Sequence, residues 1–200
     1  MFRKLLISTC VMGWLFGVSA PRAEAGLLPV SLMPVAQLDG NFRWTYQITL
    51  PSQTQIKNGD YFTIYDFAGF VPGSNGQPIA NWNFSSANIG LTPGGLVATD
   101  HPALPNLTWQ YTGMDSTIGQ TGLGNFWATS AFSASTTSNF AARTHKHLIG
   151  DNRPASNITT TMVPVPKAGP EVPEPATLAL AGMGLPLVGL FRMIRRKRSK

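Results

Sequence analysis

The chain reads as an all-β protein: an antiparallel β-sandwich of about seven or eight short strands. A signal helix flanks it at the N-terminus and a transmembrane helix at the C-terminus. Three observations predict this. Between residues 26 and 170 apolar side chains recur at a period of two, and no helical period appears. Glycine and proline turn signals separate the apolar segments. At each extremity an apolar run lies beside a group of positive charges.

The strand signals can be taken in order. Phe42, Trp44, Tyr46, Ile48 and Leu50 alternate with Arg43, Thr45, Gln47 and Thr49, the pattern of a half-buried strand. Asn58-Gly59 is a turn pair. The run from Tyr61 to Phe67 is apolar on both faces, which predicts a strand in the middle of a sheet. The segment Pro51–Asp60 makes these two strands expected antiparallel neighbours. Glycine and proline from Val71 to Gln77 mark a loop, and Ile79–Phe84 is a weaker strand. Leu107, Trp109 and Tyr111 alternate again, and Asn125–Phe132 is a further candidate. Residues 133–152 are polar and carry no clear period. Thr159–Val165 is a β-branched final strand. Asn41-x-x-Trp44-x-Tyr46 and Asn106-x-x-Trp109-x-Tyr111 echo each other. They read either as related strands in two packed sheets or as chance among aromatic strands.

The two ends carry addresses. Arg3 and Lys4 precede the apolar stretch Leu5–Gly17, and Ala23-Glu24-Ala25 supplies small residues two apart. That is the pattern a signal peptidase reads, with Gly26 as the first mature residue. At the other end Ala176–Ile194 is 19 residues, roughly 28 Å as a helix against a bilayer core of about 30 Å. Arg192 ends its apolar part, and Arg195, Arg196, Lys197 and Arg198 follow. Each such charge costs ~2.5–3.5 kcal/mol at the bilayer centre, so the basic group stays on the cytoplasmic side. The expected division is residues 1–25 signal peptide, 26–163 exported domain, 164–175 proline-rich linker, 176–194 transmembrane helix and 195–200 basic tail.

Val172-Pro173-Glu174-Pro175, the short apolar run and the arginine-rich end resemble the PEP-CTERM sorting signal of Gram-negative bacteria. The resemblance implies recognition by an exosortase and processing near Pro-Glu-Pro. It also implies display at the cell surface or in an extracellular polysaccharide matrix. The partners expected are the secretion machinery with signal peptidase, the exosortase, the inner membrane and exopolysaccharide.

Composition narrows the remainder. The formal charge of +6 comes from 15 basic and 9 acidic residues. Nine of the basic residues lie in the leader and tail. Residues 26–174 hold six, Arg43, Lys57, Arg143, Lys146, Arg153 and Lys167, against eight acids, a net of about −2. Nucleic acid is therefore excluded as a partner. The single cysteine, Cys10, lies in the leader. The exported part thus has no disulfide, thiolate nucleophile or cysteine metal site.

Few constellations suggest chemistry. Asp60 and Asp66 are six residues apart, roughly 20 Å along a straight strand, too far for a glycosidase pair at about 5–9.5 Å. Each is read as ending a strand. Asp39, Asp60, Asp66, Asp100 and Asp115 lie near turns but form no calcium-loop spacing. His145 and His147 are two apart, and Lys146 between them favours an exposed strand or loop over a metal site. Trp44, Trp82, Trp109 and Trp127 are the rings available for a sugar-stacking platform, but the alternation places Trp44 and Trp109 on the apolar, inward face of their strands. Trp82, between Asn81 and Asn83, is the tryptophan expected to be exposed and to touch glycan. No nucleophile elbow, phosphate loop or zinc-protease motif occurs. The expectation is an exported protein without catalysis, metal or cofactor, with a structural or adhesive role. The alternative is a carbohydrate-binding module.

Overall fold

The computed structural model describes residues 26–114 and 117–167. The expected signal segment with Ala23 and Ala25, the Val172–Pro175 motif, and the expected 176–194 transmembrane helix with its basic stop lie outside the described residues. Among those described, no helix is long and apolar enough to cross a membrane. The chain forms eleven strands there: β1 Leu28–Ser31, β2 Val35–Ala36, β3 Phe42–Leu50, β4 Thr54–Ile56, β5 Tyr61–Ile64, β6 Trp82–Ala87, β7 Asn106–Tyr111, β8 Thr117–Ile118, β9 Thr121–Ser130, β10 Ala134–Lys146 and β11 Pro154–Val165.

Every pairing is antiparallel, in two sheets. In the first, β3 pairs along its length with β9, from Phe42↔Ser130 to Leu50↔Thr121. Its other edge carries β1 (Leu28↔Thr49) and then β2 (Val35↔Arg43). The second sheet runs β6, β7, β5, β10. One edge of β10 takes β5 and then β4, and the other takes β11 from Ala134↔Val165 to His145↔Pro154. The free edge of β9 is covered by the segment from Gly69 to Gly76. There Val71 N–H donates to Thr129 O at 2.9 Å, and Gly76 and Trp127 exchange backbone bonds at 2.8 and 3.0 Å. Covering an edge removes a template for pairing with other chains.

The two inner faces meet in an aromatic core. Phe62 of β5 stacks on Trp109 at 5.3 Å and on Phe140 at 5.5 Å, and meets Phe126 of the opposite sheet edge-on at 4.9 Å. Trp44, Tyr46, Ile48 and Leu50 fill the core from β3. Burying one such side chain stabilises by ~1.5–3 kcal/mol, so the alternating aromatic strands largely determine the fold. The start of the described chain is part of this body. Gly26 and Leu27 are buried, and Asn157 of β11 donates to Leu27 O at 3.0 Å.

Several expectations change. The described residues form eleven strands rather than seven or eight, because short bridging segments such as β2, β4 and β8 carry no alternation. The strands at 42–50 and 61–67 are not neighbours: β3 lies in one sheet and β5 in the other. Residues 54–56 between them are a buried strand bonded to β10 and β8, and Gln53 turns the chain with φ of 62°. The chain has therefore changed sheets before the Asn58-Gly59 turn. The unassigned stretch 133–152 contains β10, the longest strand, central between β5 and β11. Two features match. β3 spans the residues its alternation marks, and the echoing Trp-x-Tyr segments lie in opposite packed sheets, on β3 and β7.

Candidate functional site

The tryptophans sort by strand face. Trp82 opens β6 opposite Tyr111 of β7, and the alternation Trp82, Asn83, Phe84 turns the first and third inward. Its side chain is only 4 % exposed and packs on Phe126 at 5.0 Å, Tyr111 at 5.2 Å and Phe62 at 5.7 Å. The expected exposure of Trp82 is thus corrected: its polar neighbours face solvent and it does not. Trp44 and Trp109 are buried as expected. Trp127 of β9 is half-buried on the outer face of the first sheet, with the Arg43 guanidinium 5.4 Å from its ring centre. Gly76 lies against the edge of its ring, where a Cβ would clash. The register places Thr45 opposite Trp127, with Gln47 opposite Asn125 two residues away on the same face.

Asp60 forms the most concentrated charge cluster. It is fully buried at the turn before β5. Its Oδ2 accepts from Lys57 N–H at 2.9 Å and pairs with His145 Nδ1 at 2.9 Å, while Oδ1 faces Arg143 Nε at 3.6 Å. Arg143 also donates to Gly59 O at 2.8 Å and lies over the Tyr61 ring at 5.4 Å. Burial raises the Asp60 carboxyl above the usual carboxylate range. The hydrogen bonds from His145 and Lys57 N–H and the charges of His145 and Arg143 pull it back less strongly. These bonds fasten the 57–60 turn to β10. The polar surroundings of His145 predict an exposed strand or loop. His145 is instead partly buried and engaged with a carboxylate 85 residues away, while His147 is exposed. The residues alone carry no signal for that distant pairing.

Asp66 lies at the opposite end of β5, with φ of 57°. It accepts from His101 N–H at 2.8 Å and from Ser138 Oγ at 2.6 Å. Asn106 bridges Asp66 N–H and Asp100. Asp60 and Asp66 therefore serve separate ends of the sandwich, as their spacing predicts. The Asp66 cluster pins the long 88–105 connection to the sheet. Among the described residues no three His, Cys, Asp or Glu side chains come together.

β11 holds the C-terminal exit. It is bonded to β10 over its length and tied to β3 by Tyr46 Oη donating to Met162 O at 3.0 Å. Burial pushes the Tyr46 phenol well above its ordinary value. The strand ends at Val165, and Val172 follows seven residues later. No curated protein matches this chain. No solved structure matches it either. The family model of the PEP-CTERM protein-sorting motif matches residues 171–197, spanning the Pro-Glu-Pro segment, the apolar run and the basic residues up to Lys197. The chain therefore carries a PEP-CTERM sorting motif at its C-terminal end, which supports exosortase-dependent sorting of an exported protein.

Proposed function

We propose that this is a non-catalytic cell-surface or matrix protein, cut near Pro173-Glu174-Pro175 and displayed for a structural or adhesive role. In this reading the leader is removed after Ala25, and residues 176–194 cross the inner membrane until processing. Arg192, Arg195, Arg196, Lys197 and Arg198 stay on the cytoplasmic side. The observation that carries it is the motif match at residues 171–197, directly beyond a domain whose last strand is an anchored edge strand. Pulse-chase labelling of a tagged chain tests it. A precursor should convert to a shorter, released product in cells that contain the exosortase, and a persistent full-length species there rejects processing.

A second reading, a carbohydrate-binding module, is supported by Trp127. An aromatic ring beside Arg43, Thr45, Gln47 and Asn125 is a surface on which a sugar ring can stack and hydrogen-bond. Titration with the host's exopolysaccharide, followed by tryptophan fluorescence, tests this with Trp127→Ala as control. The expected result is quenching that the substitution abolishes. Quenching by no glycan, or quenching that survives the substitution, rejects it.

A further inference from the structure

The end of the sandwich from which the chain leaves toward its sorting signal exposes several large apolar side chains close together in sequence. Val165 ends β11 opposite Ala134, the first residue of β10. The loop from β1 to β2 lies at the same end. Ser31, Leu32, Met33 and Pro34 from that loop line one cavity of about 140 Å³ together with Ser135 and Met162, neighbours of the exit, and with Trp44 of β3. Trp44 in turn donates to Phe132 O at 3.0 Å, in the link between β9 and β10. Around this cavity Met33 is 86 % exposed, Val35 58 % and Leu38 fully exposed, with Leu32 partly so. Four large apolar side chains exposed within the seven residues 32–38 are a candidate interaction surface.

The neighbouring charges suit one kind of partner. Arg43 is paired with Val35 and exposed, and Lys167 follows the exit. Of the carboxylates at this end, Asp39 accepts both the N–H and the side-chain amide of Asn41, at 3.1 and 2.9 Å, and Asp66 accepts from His101 N–H and Ser138 Oγ, so both are engaged within the protein. Apolar side chains flanked by cations are the composition that binds an anionic bilayer surface.

Chain length supplies the rest. Ten residues, and so eleven Cα–Cα steps, separate Val165 from Ala176, where the apolar run begins. At ~3.3–3.6 Å per residue they reach at most about 40 Å. Resting on the reading that this run spans the inner membrane, the exit end can never leave the bilayer by more than that. Weak contacts suffice at such high effective concentration. We infer that the loop carrying Leu32, Met33, Val35 and Leu38 docks on the outer surface of the inner membrane while the tail is uncut. The domain is thereby held exit-end down, with the Pro-Glu-Pro segment close to the lipid.

The full chain in vesicles of phosphatidylethanolamine and phosphatidylglycerol provides the test. With Cys10→Ser as background, an environment-sensitive dye is placed at Met33→Cys or Leu38→Cys. Ile149→Cys, exposed in the β10–β11 hairpin at the other end, serves as control. Brominated lipid should quench the dyes at 33 and 38 several-fold more than the dye at 149, and Met33→Glu should abolish quenching at 38. Flotation with the vesicles is scored in the same samples. A chain that floats but is quenched no more at 33 and 38 than at 149 overturns the docking and leaves the membrane span standing. A chain that does not float overturns both. A blue-shifted dye at 33 without bromine quenching shows that a second copy covers the loop, which also overturns the proposal.

Discussion

Asp60 holds a carboxylate where water does not reach, and its cost and compensation are both visible. Burial raises its pKa against the pull of His145, Lys57 N–H and Arg143. The folded state therefore binds this proton more tightly than the unfolded chain does. The resulting stability is fully present below the ordinary carboxylate pKa of about 3.9 and is lost as pH rises through the folded value. The melting temperature of the protein minus that of Asp60→Asn should fall over this interval and level off above it. A difference that instead rises with pH would mean that the cations outweigh burial. The tryptophans separate in the same quantitative way. Trp82→Ala removes a core ring and should cost ~3–5 kcal/mol. Trp127→Ala loses partial burial and a stacking contact with Arg43 of ~0.5–1 kcal/mol. Chemical denaturation should rank the two in that order, and equal losses would contradict their placement on opposite faces.

The covered edge of β9 is the element on which a small change has the most leverage. A methyl group at Gly76 collides with the Trp127 ring, so Gly76→Ala must displace either the ring or the 69–76 strap. Overpacking of this kind costs ~1–3 kcal/mol, to be read from the denaturation midpoint. A neutral substitution would show that the strap is free to shift. The same elements mark what the sequence made legible. β3 and β7 bury large aromatic side chains on one face, so their alternation is strong and their limits readable. β10 is as central, but its buried residues include Ala141, Ala142 and Thr144 beside a single Phe140. Small side chains beneath a paired backbone leave no apolar period to read. Trp82 is buried despite its asparagine neighbours because its alternation with Phe84 sets the inward face of β6. The partnership of Asp60 with Arg143 and His145 depends on which strands become neighbours, and no local pattern reports that.

At the scale of the molecule, a rigid sheet body and a sorting signal are joined through one edge strand. Replacing Pro173, Glu174 and Pro175 with alanine should leave the melting temperature of the domain unchanged, since the segment follows the last strand. The same replacement should stop conversion of the precursor in pulse-chase gels. Normal conversion of that variant would move the recognition determinant elsewhere in residues 171–197. The opposite terminus imposes a timetable. Gly26 and Leu27 are buried against Asn157 within the finished sandwich, whereas a peptidase must grip an extended strand on both sides of the bond it cuts. If the leader is cut after Ala25, the cut must come first and maturation of the sheet second. A chain that folds too fast behind its leader would hide its own scissile bond.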